Sequence, residues 1–236
     1  MITLNIETST SCCSAAITQG KTILAHRAQL ENANHASDLP VFVEELLSEA
    51  RTNNWKIDAI ALSEGPGSYT GLRIGASLAK GLCYGLNIPL IPIDTLQVLC
   101  ASMKSQCEEL VADAYLCPLI DARRMEVYTA KYEMTSLHIE GMVEAKIIDE
   151  HSYNEDLKVQ TLYFFGNGSA KCKDVIVNER ACFVDGINPD AKYMGELAEQ
   201  VAELRLLDIK QVAYYEPYYL KEFVAAPSRV KGLNKE

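Results

Sequence analysis

Two hydrophobic periods alternate along the first half of the chain, and each switch between them marks an element. Residues 2–7, 14–19 and 22–30 read as three short strands, parted by Ser9-Thr10-Ser11 and by the Gln19-Gly20-Lys21 turn. This predicts an antiparallel meander. The period then lengthens. Leu39, Phe42, Val43, Leu46, Leu47 and Ala50 recur at i, i+3, i+4, i+7, i+8 and i+11, with Glu44, Glu45 and Glu49 on the opposite side. That spacing predicts an amphipathic helix over 39–50, capped by Ser37 or Asp38, with Pro40 in its first turn where a missing N–H costs nothing. A strand over 57–63, a helix over 70–84 and a strand over 90–93 follow, which is the order of a βαβ unit.

The second half starts again in the same way. A strand over 116–120 leads into Asp121-Ala122-Arg123, and 126–134 returns as a strand. Glu7 precedes Ser14-Ala15-Ala16-Ile17 by seven residues, and Asp121 precedes Val127-Tyr128-Thr129-Ala130 by six. The repeat predicts two lobes, 1–108 and 109–236, linked through 100–109, with the tail packing back on the first lobe. A strand over 161–165, a turn at Gly166-Asn167-Gly168 and a helix over 191–206, with Leu197, Val201 and Leu204 on one face, complete the second lobe.

Composition narrows the class. The chain has 236 residues, 48% of them hydrophobic and 23% charged, the balance of a soluble globular protein. No apolar run approaches the ~18 residues that a bilayer span requires. The first residues, Met1 to Glu7, lack a basic segment and read as a strand rather than a secretory signal. Eight cysteines follow no framework spacing and sit in apolar segments, as buried thiols do in a reducing cytoplasm. A net charge of -10 argues against this chain as the main holder of a nucleic-acid backbone.

The stretch 65–85 carries the most information. Gly65-Pro66-Gly67-Ser68-Tyr69-Thr70-Gly71 lies between a strand and a helix, where backbone N–H groups could hold an anion. No Gly-Lys-Ser/Thr ends it, so it is not a Walker loop, and Ser68 lacks the flanking glycines of a nucleophile elbow. It approaches the dinucleotide fingerprint, with Asp94 ending the next strand, but one extra residue spoils the spacing. The plain alternative is a rigid turn, capped by Ser68 or Thr70. In the helix behind it, Gly71, Gly75 and Ala79 form one line of small residues and Ser77, Gly81 and Gly85 another. An offset of two residues is about 200° of helical rotation, so the lines lie on nearly opposite sides. Each interior glycine costs about 1 kcal/mol relative to alanine, which points to close packing.

Ile6-Glu7-Thr8-Ser9-Thr10, His35 ahead of Leu39-Pro40, the run Gly65 to Gly75, Ala79-Lys80-Gly81-Leu82, Asp121-Ala122-Arg123 with Glu126-Val127-Tyr128, and Pro217-Tyr218-Tyr219-Leu220 together resemble the TsaB (YeaZ) family. These are bacterial accessory proteins of tRNA threonylcarbamoyladenosine biosynthesis. Lys221 stands where family members often have arginine. The resemblance implies an α/β, two-lobed actin-like (ribonuclease H-like) fold with a duplicated mixed-sheet core. It also implies a cytoplasmic, non-catalytic subunit that binds and activates a TsaD-like threonylcarbamoyl transferase, with a TsaE-like ATPase joining through the complex and tRNA reached only indirectly. The catalytic relative carries His-x-x-x-His after the strand equivalent to 90–93, and the matching positions here are Thr95 and Leu99. A leucine cannot ligate a metal, none of the four histidines stands four residues from another, and neither cofactor nor metal is expected. The partner contact is placed on Leu39, Phe42, Val43, Leu46, Gly71, Gly75, Leu78, Ala79 and Leu82, and the same surface admits a second copy of the chain as a homodimer. On this placement, Gly75→Arg abolishes association and leaves the lobe folded.

Other classes stay open. A nucleotide-dependent kinase or ATPase of the same fold would use Glu7 and Asp121 as carboxylates around Mg²⁺, with Gly166-Asn167-Gly168 at an adenosine. An oxidoreductase conflicts with the antiparallel opening, and a peptidase lacks a nucleophile–base pair; His35 near Asp38 reads as a cap and surface contact.

Overall fold

The computed structural model describes residues 1–107, 109–111 and 113–221. The opening meander is present as β1 (Ile2–Glu7), β2 (Cys13–Gln19) and β3 (Thr22–Gln29). After α1 (His35–Thr52) come β4 (Ala59–Gly65), α2 (Tyr69–Leu86) and β5 (Leu90–Asp94), which add to the meander as parallel strands in the order β3-β2-β1-β4-β5. Next, α3 (Thr95–Gln106) runs through most of the stretch expected as a link, because Asp94 caps it by accepting from Gln97 N at 3.0 Å. The connection to the second half therefore begins at Cys107.

The second sheet is built from β6 (Tyr115–Asp121), β7 (Glu126–Glu133), β8 (Ile139–Ile147), β9 (Leu162–Phe165) and β10 (Ala181–Val184), in the order β10-β9-β6-β7-β8. Counted from the first strand of each half, the two sheets have one topology: an antiparallel three-strand meander, then two parallel strands joined to the first. The mid-chain repeat is thus a structural duplication, and Glu7 and Asp121 end equivalent strands. Between β8 and β9 lies the short α4 (Asn154–Val159), and after β10 come α5 (Met194–Arg205) and α6 (Ile209–Tyr214).

Packing explains the helix faces. Leu39, Val43, Leu46 and Ala50 of α1 and Ala76, Ala79 and Cys83 of α2 join Leu4, Ile6, Ile17, Ile60 and Leu62 in one core on the outer face of the first sheet. A second core runs between the halves, from Ile91, Ile93 and Leu99 to Leu116, Ile120, Phe165 and Met194. With both faces covered, β1 and β4 are buried along almost their whole length, as parallel strands are. The α1 helix starts a turn earlier than expected: Asn34 is its N-cap, Asp38 Oδ2 accepts from Asn34 N at 2.8 Å, and Pro40 falls inside the helix. The carbonyl that Pro40 leaves without an N–H is that of exposed Ala36, which water can satisfy.

Candidate functional site

Three backbone donors of the turn before α2 are spent inside the molecule. Gly65 N donates to Thr95 Oγ1 at 3.0 Å, Ser68 N to Ser9 O at 2.6 Å, and Gly71 N to the capping Ser68 Oγ at 3.3 Å. Gly65 has φ +118°, and a side chain there would also strike Tyr218 O. The turn is therefore a packed junction, which favours the plain reading over an anion cradle.

The two lines of small residues on α2 face different surroundings. A Cβ on Gly71 or Gly75 would collide with Thr8 of the first lobe itself, and Ala79 is fully buried. A Cβ on Gly81 or Gly85 would meet nothing among the described residues within 4 Å. This corrects much of the expected contact surface. Leu39, Val43, Leu46, Gly71, Gly75 and Ala79 are consumed by the lobe's own core, so they present no surface to a partner, and Gly75→Arg would break the lobe rather than test an interface. Phe42, Leu78 and Leu82 keep partial exposure. Val41, half exposed, and Tyr84, 80% exposed, add apolar surface on the same two helices. Sequence reading passed over both because they stand on the polar arc of the helical pattern.

Between the lobes lies a cleft of about 610 Å³, bordered by the Ser9–Ser11 loop and Gly67–Thr70 on one side and by Asp121, Arg123, Tyr128 and Asn167 on the other. His35 also borders it, its Nε2 3.0 Å from Cys12 O. A strap formed by residues 207–221 returns from the second lobe to the first. Leu207 bridges Leu90, Lys80 Nζ donates to Tyr215 O at 3.0 Å, Tyr218 N donates to Glu64 O at 2.8 Å, and Tyr218 to Lys221 border the cleft. Arg205 Nη2 holds the base of the strap by donating to both Glu64 oxygens at 2.7 and 2.8 Å.

The two acids of the duplicated strands have separated. Asp121 borders the cleft, exposed, where it pairs with Lys171 and accepts from Arg123 N at 3.1 Å. Glu7 is fully buried: its Oε1 accepts from Ser9 N at 2.6 Å, and its Oε2 has no hydrogen-bond partner among the described residues. Burial raises the Glu7 carboxyl above its ordinary range, against the lowering influence of the Ser63 and Ser9 hydroxyls. A Mg²⁺ site using both acids would need Glu7 in the cleft, and Glu7 is not among the residues that border it. Asn167 is committed too, its Oδ1 accepting from Asp121 N at 2.9 Å.

Thr95 and Leu99 lie at the start of α3. Thr95 is buried, 2.7 Å from Ser63 Oγ, and Leu99 is a core residue packed beside Gly166. Among the described residues no group of three His, Cys, Asp or Glu side chains is placed to hold a metal ion. No described helix is long and apolar enough to cross a membrane.

The family model of TsaD, the tRNA N6-adenosine threonylcarbamoyltransferase, matches residues 23–228. The chain is similar to the tRNA threonylcarbamoyladenosine biosynthesis protein TsaB of Haemophilus influenzae, 31% identical over 232 residues that cover 94% of each chain. The TsaB protein of Escherichia coli is 30% identical over 233 residues, 94% of this chain and 95% of that one. Among solved structures, YeaZ from Pseudomonas aeruginosa aligns with a TM-score of 0.76 at 24% identity, covering 93% of this chain and 99% of that one, and shares the fold.

Proposed function

We propose that this chain, which belongs to the TsaB family of tRNA threonylcarbamoyladenosine biosynthesis proteins and has their two-lobed actin-like fold, serves that pathway as a non-catalytic subunit. It binds a TsaD-like transferase through the outward side of α2, around Ser77, Gly81 and Gly85, together with Phe42, Leu78 and Leu82. The observation that carries this reading is the pair Gly81 and Gly85: a glycine inside a helix costs about 1 kcal/mol against alanine, and a Cβ at either position would meet nothing within 4 Å among the described residues. A helix docked there would use the space they leave. Non-catalysis is supported by Thr95 and Leu99, which occupy the positions where the family resemblance places metal-binding histidines and which serve a hydrogen bond and the core here.

On this reading a TsaE-like ATPase joins through the complex, tRNA contact is indirect, the two lobes 1–108 and 109–236 form one scaffold, and the protein works in the cytoplasm. In the absence of its partner the same side of α2 pairs with a second copy of the chain. Reconstitution tests the reading. Transferase, ATPase and threonylcarbamoyl adenylate should modify tRNA only when this chain is added. Undiminished modification without it, or micromolar binding of Mg-ATP by the isolated chain in calorimetry, would contradict the role.

A further inference from the structure

The geometry points to Arg73 as the anchor of the partner surface, a guanidinium preset to receive a carboxylate side chain of the transferase subunit; this rests on the role of α2 proposed above. Arg73 is exposed and stands four residues before Ser77 and eight before Gly81, so it heads the outward line of α2. Its guanidinium carbon lies 4.2 Å from the centre of the Tyr69 ring and 5.9 Å from that of Tyr219, the two rings being 4.9 Å apart. Its Nε donates to the Tyr219 hydroxyl at 3.3 Å.

Two other arginines are neutralised from within, Arg27 by Glu45 and Glu49 and Arg205 by Glu64, whereas Arg73 is held by aromatic groups. Among the described residues no ion pair engages Arg73, although Glu216 of the strap contributes to the field around it. An arginine loses considerable rotamer freedom when it is immobilised, and here the Tyr69 ring and the Tyr219 hydroxyl have already fixed it. The two terminal nitrogens are left as a fork whose spacing matches the two oxygens of a carboxylate.

A protein carboxylate suits the surroundings better than an RNA phosphate. The chain carries a net charge of -10, which repels a polyanion over a distance, and the line behind Arg73, formed by Ser77, Gly81 and Gly85, is uncharged. The anchor is also composite. Tyr219 arrives on the strap from the second lobe and borders the cleft, so Arg73 is set only while the strap is docked. Arginine and tyrosine are both enriched among the few interface residues that carry most of the affinity.

Calorimetric binding of the full-length chain to the TsaD-like subunit tests the assignment with Arg73→Ala, Arg73→Lys and Tyr219→Phe, against Arg180→Ala as a charge-matched control on the other lobe. Arg73→Ala should weaken binding at least tenfold at an unchanged melting temperature. Arg73→Lys should recover only part of it, because an ammonium lacks the fork, and Tyr219→Phe should weaken it two- to fivefold. Wild-type affinity for Arg73→Ala, full recovery by lysine, or an equal loss in Arg180→Ala each overturns the anchor, as does a loss confined to tRNA binding. If Gly81→Arg abolishes binding while Arg73→Ala does not, the anchor fails and the role of α2 stands. If the wild-type chain does not bind the subunit at all, it is that role which fails.

Discussion

The two sides of α2 put one residue type to opposite uses. On the inner side Gly71 and Gly75 let the helix press its backbone onto Thr8, whose Oγ1 donates to Gly71 O at 2.8 Å. On the outer side a Cβ on Gly81 or Gly85 would meet nothing among the described residues. An interior glycine is unfavourable in both places, so each must be offset by a contact. For the inner pair that contact lies within the lobe; for the outer pair, on the function proposed above, it is the transferase subunit that supplies it. The contrast separates residues packed into the fold from residues left open on its surface, along a helix where sequence alone writes them the same way.

The largest expected effect tests the inner side. Gly75→Arg forces a long cation against Thr8 and Leu62 and should remove the cooperative unfolding transition seen by circular dichroism; a folded Gly75→Arg lobe would break the comparison. A smaller loss is expected where the strap meets the first lobe. Arg205→Ala removes the Nη2 donor shared by both oxygens of the largely buried Glu64 and should cost about 1–2 kcal/mol in urea denaturation, a figure kept low by the partial exposure of Arg205. If the strap sets Arg73, the same variant should also weaken partner binding.

Asp94 supplies a reference that moves stability without touching either side of α2. Burial raises its carboxyl from 3.8 to about 6, against its hydrogen bonds from Gln97 N and Tyr132. The folded value is raised, so the contribution is fully present below about pH 4 and is lost as the pH climbs through 6. Asp94→Asn keeps the cap and should flatten that fall, adding on the order of 1 kcal/mol at pH 7.5 while leaving partner affinity unchanged. The smallest effect has the opposite sign to the first. Gly81→Ala places a methyl in open space and should stabilise the isolated chain by about 0.5–1 kcal/mol.

Much of the first lobe was legible because its elements are strongly periodic. The meander, α1, the βαβ unit and the double line of α2 all follow from spacing, and the repeat of Glu7 and Asp121 announced the duplicated sheet. The second lobe was read less well. β8 is an edge strand carrying Glu140, Glu144 and Lys146 with Met142 exposed, so no buried face imposes alternation on it. β10 is four residues long, and α4 and α6 are six each, too short to show a period. At the candidate surface, hydrophobic spacing found the buried stripe of α1 and α2 and took it for a contact with another chain. A stripe that fills a lobe's own core and one that awaits a partner have the same pattern, and only the sheet beneath them decides. The strap was expected to pack back on the first lobe, but its contacts there were not legible. Its function depends on pairs such as Tyr218 with Glu64, far apart in sequence and joined through a backbone hydrogen bond that no side-chain pattern encodes.

The central claim is that the outward line of α2 recognises the transferase subunit. Gly81→Arg fills that line in open space, and its affinity for the TsaD-like subunit, measured beside its urea denaturation midpoint, tests the claim most directly. The expected result is a loss of association of at least a hundredfold with a midpoint at or above that of the wild-type chain. Association at wild-type affinity by a stably folded Gly81→Arg chain would contradict it.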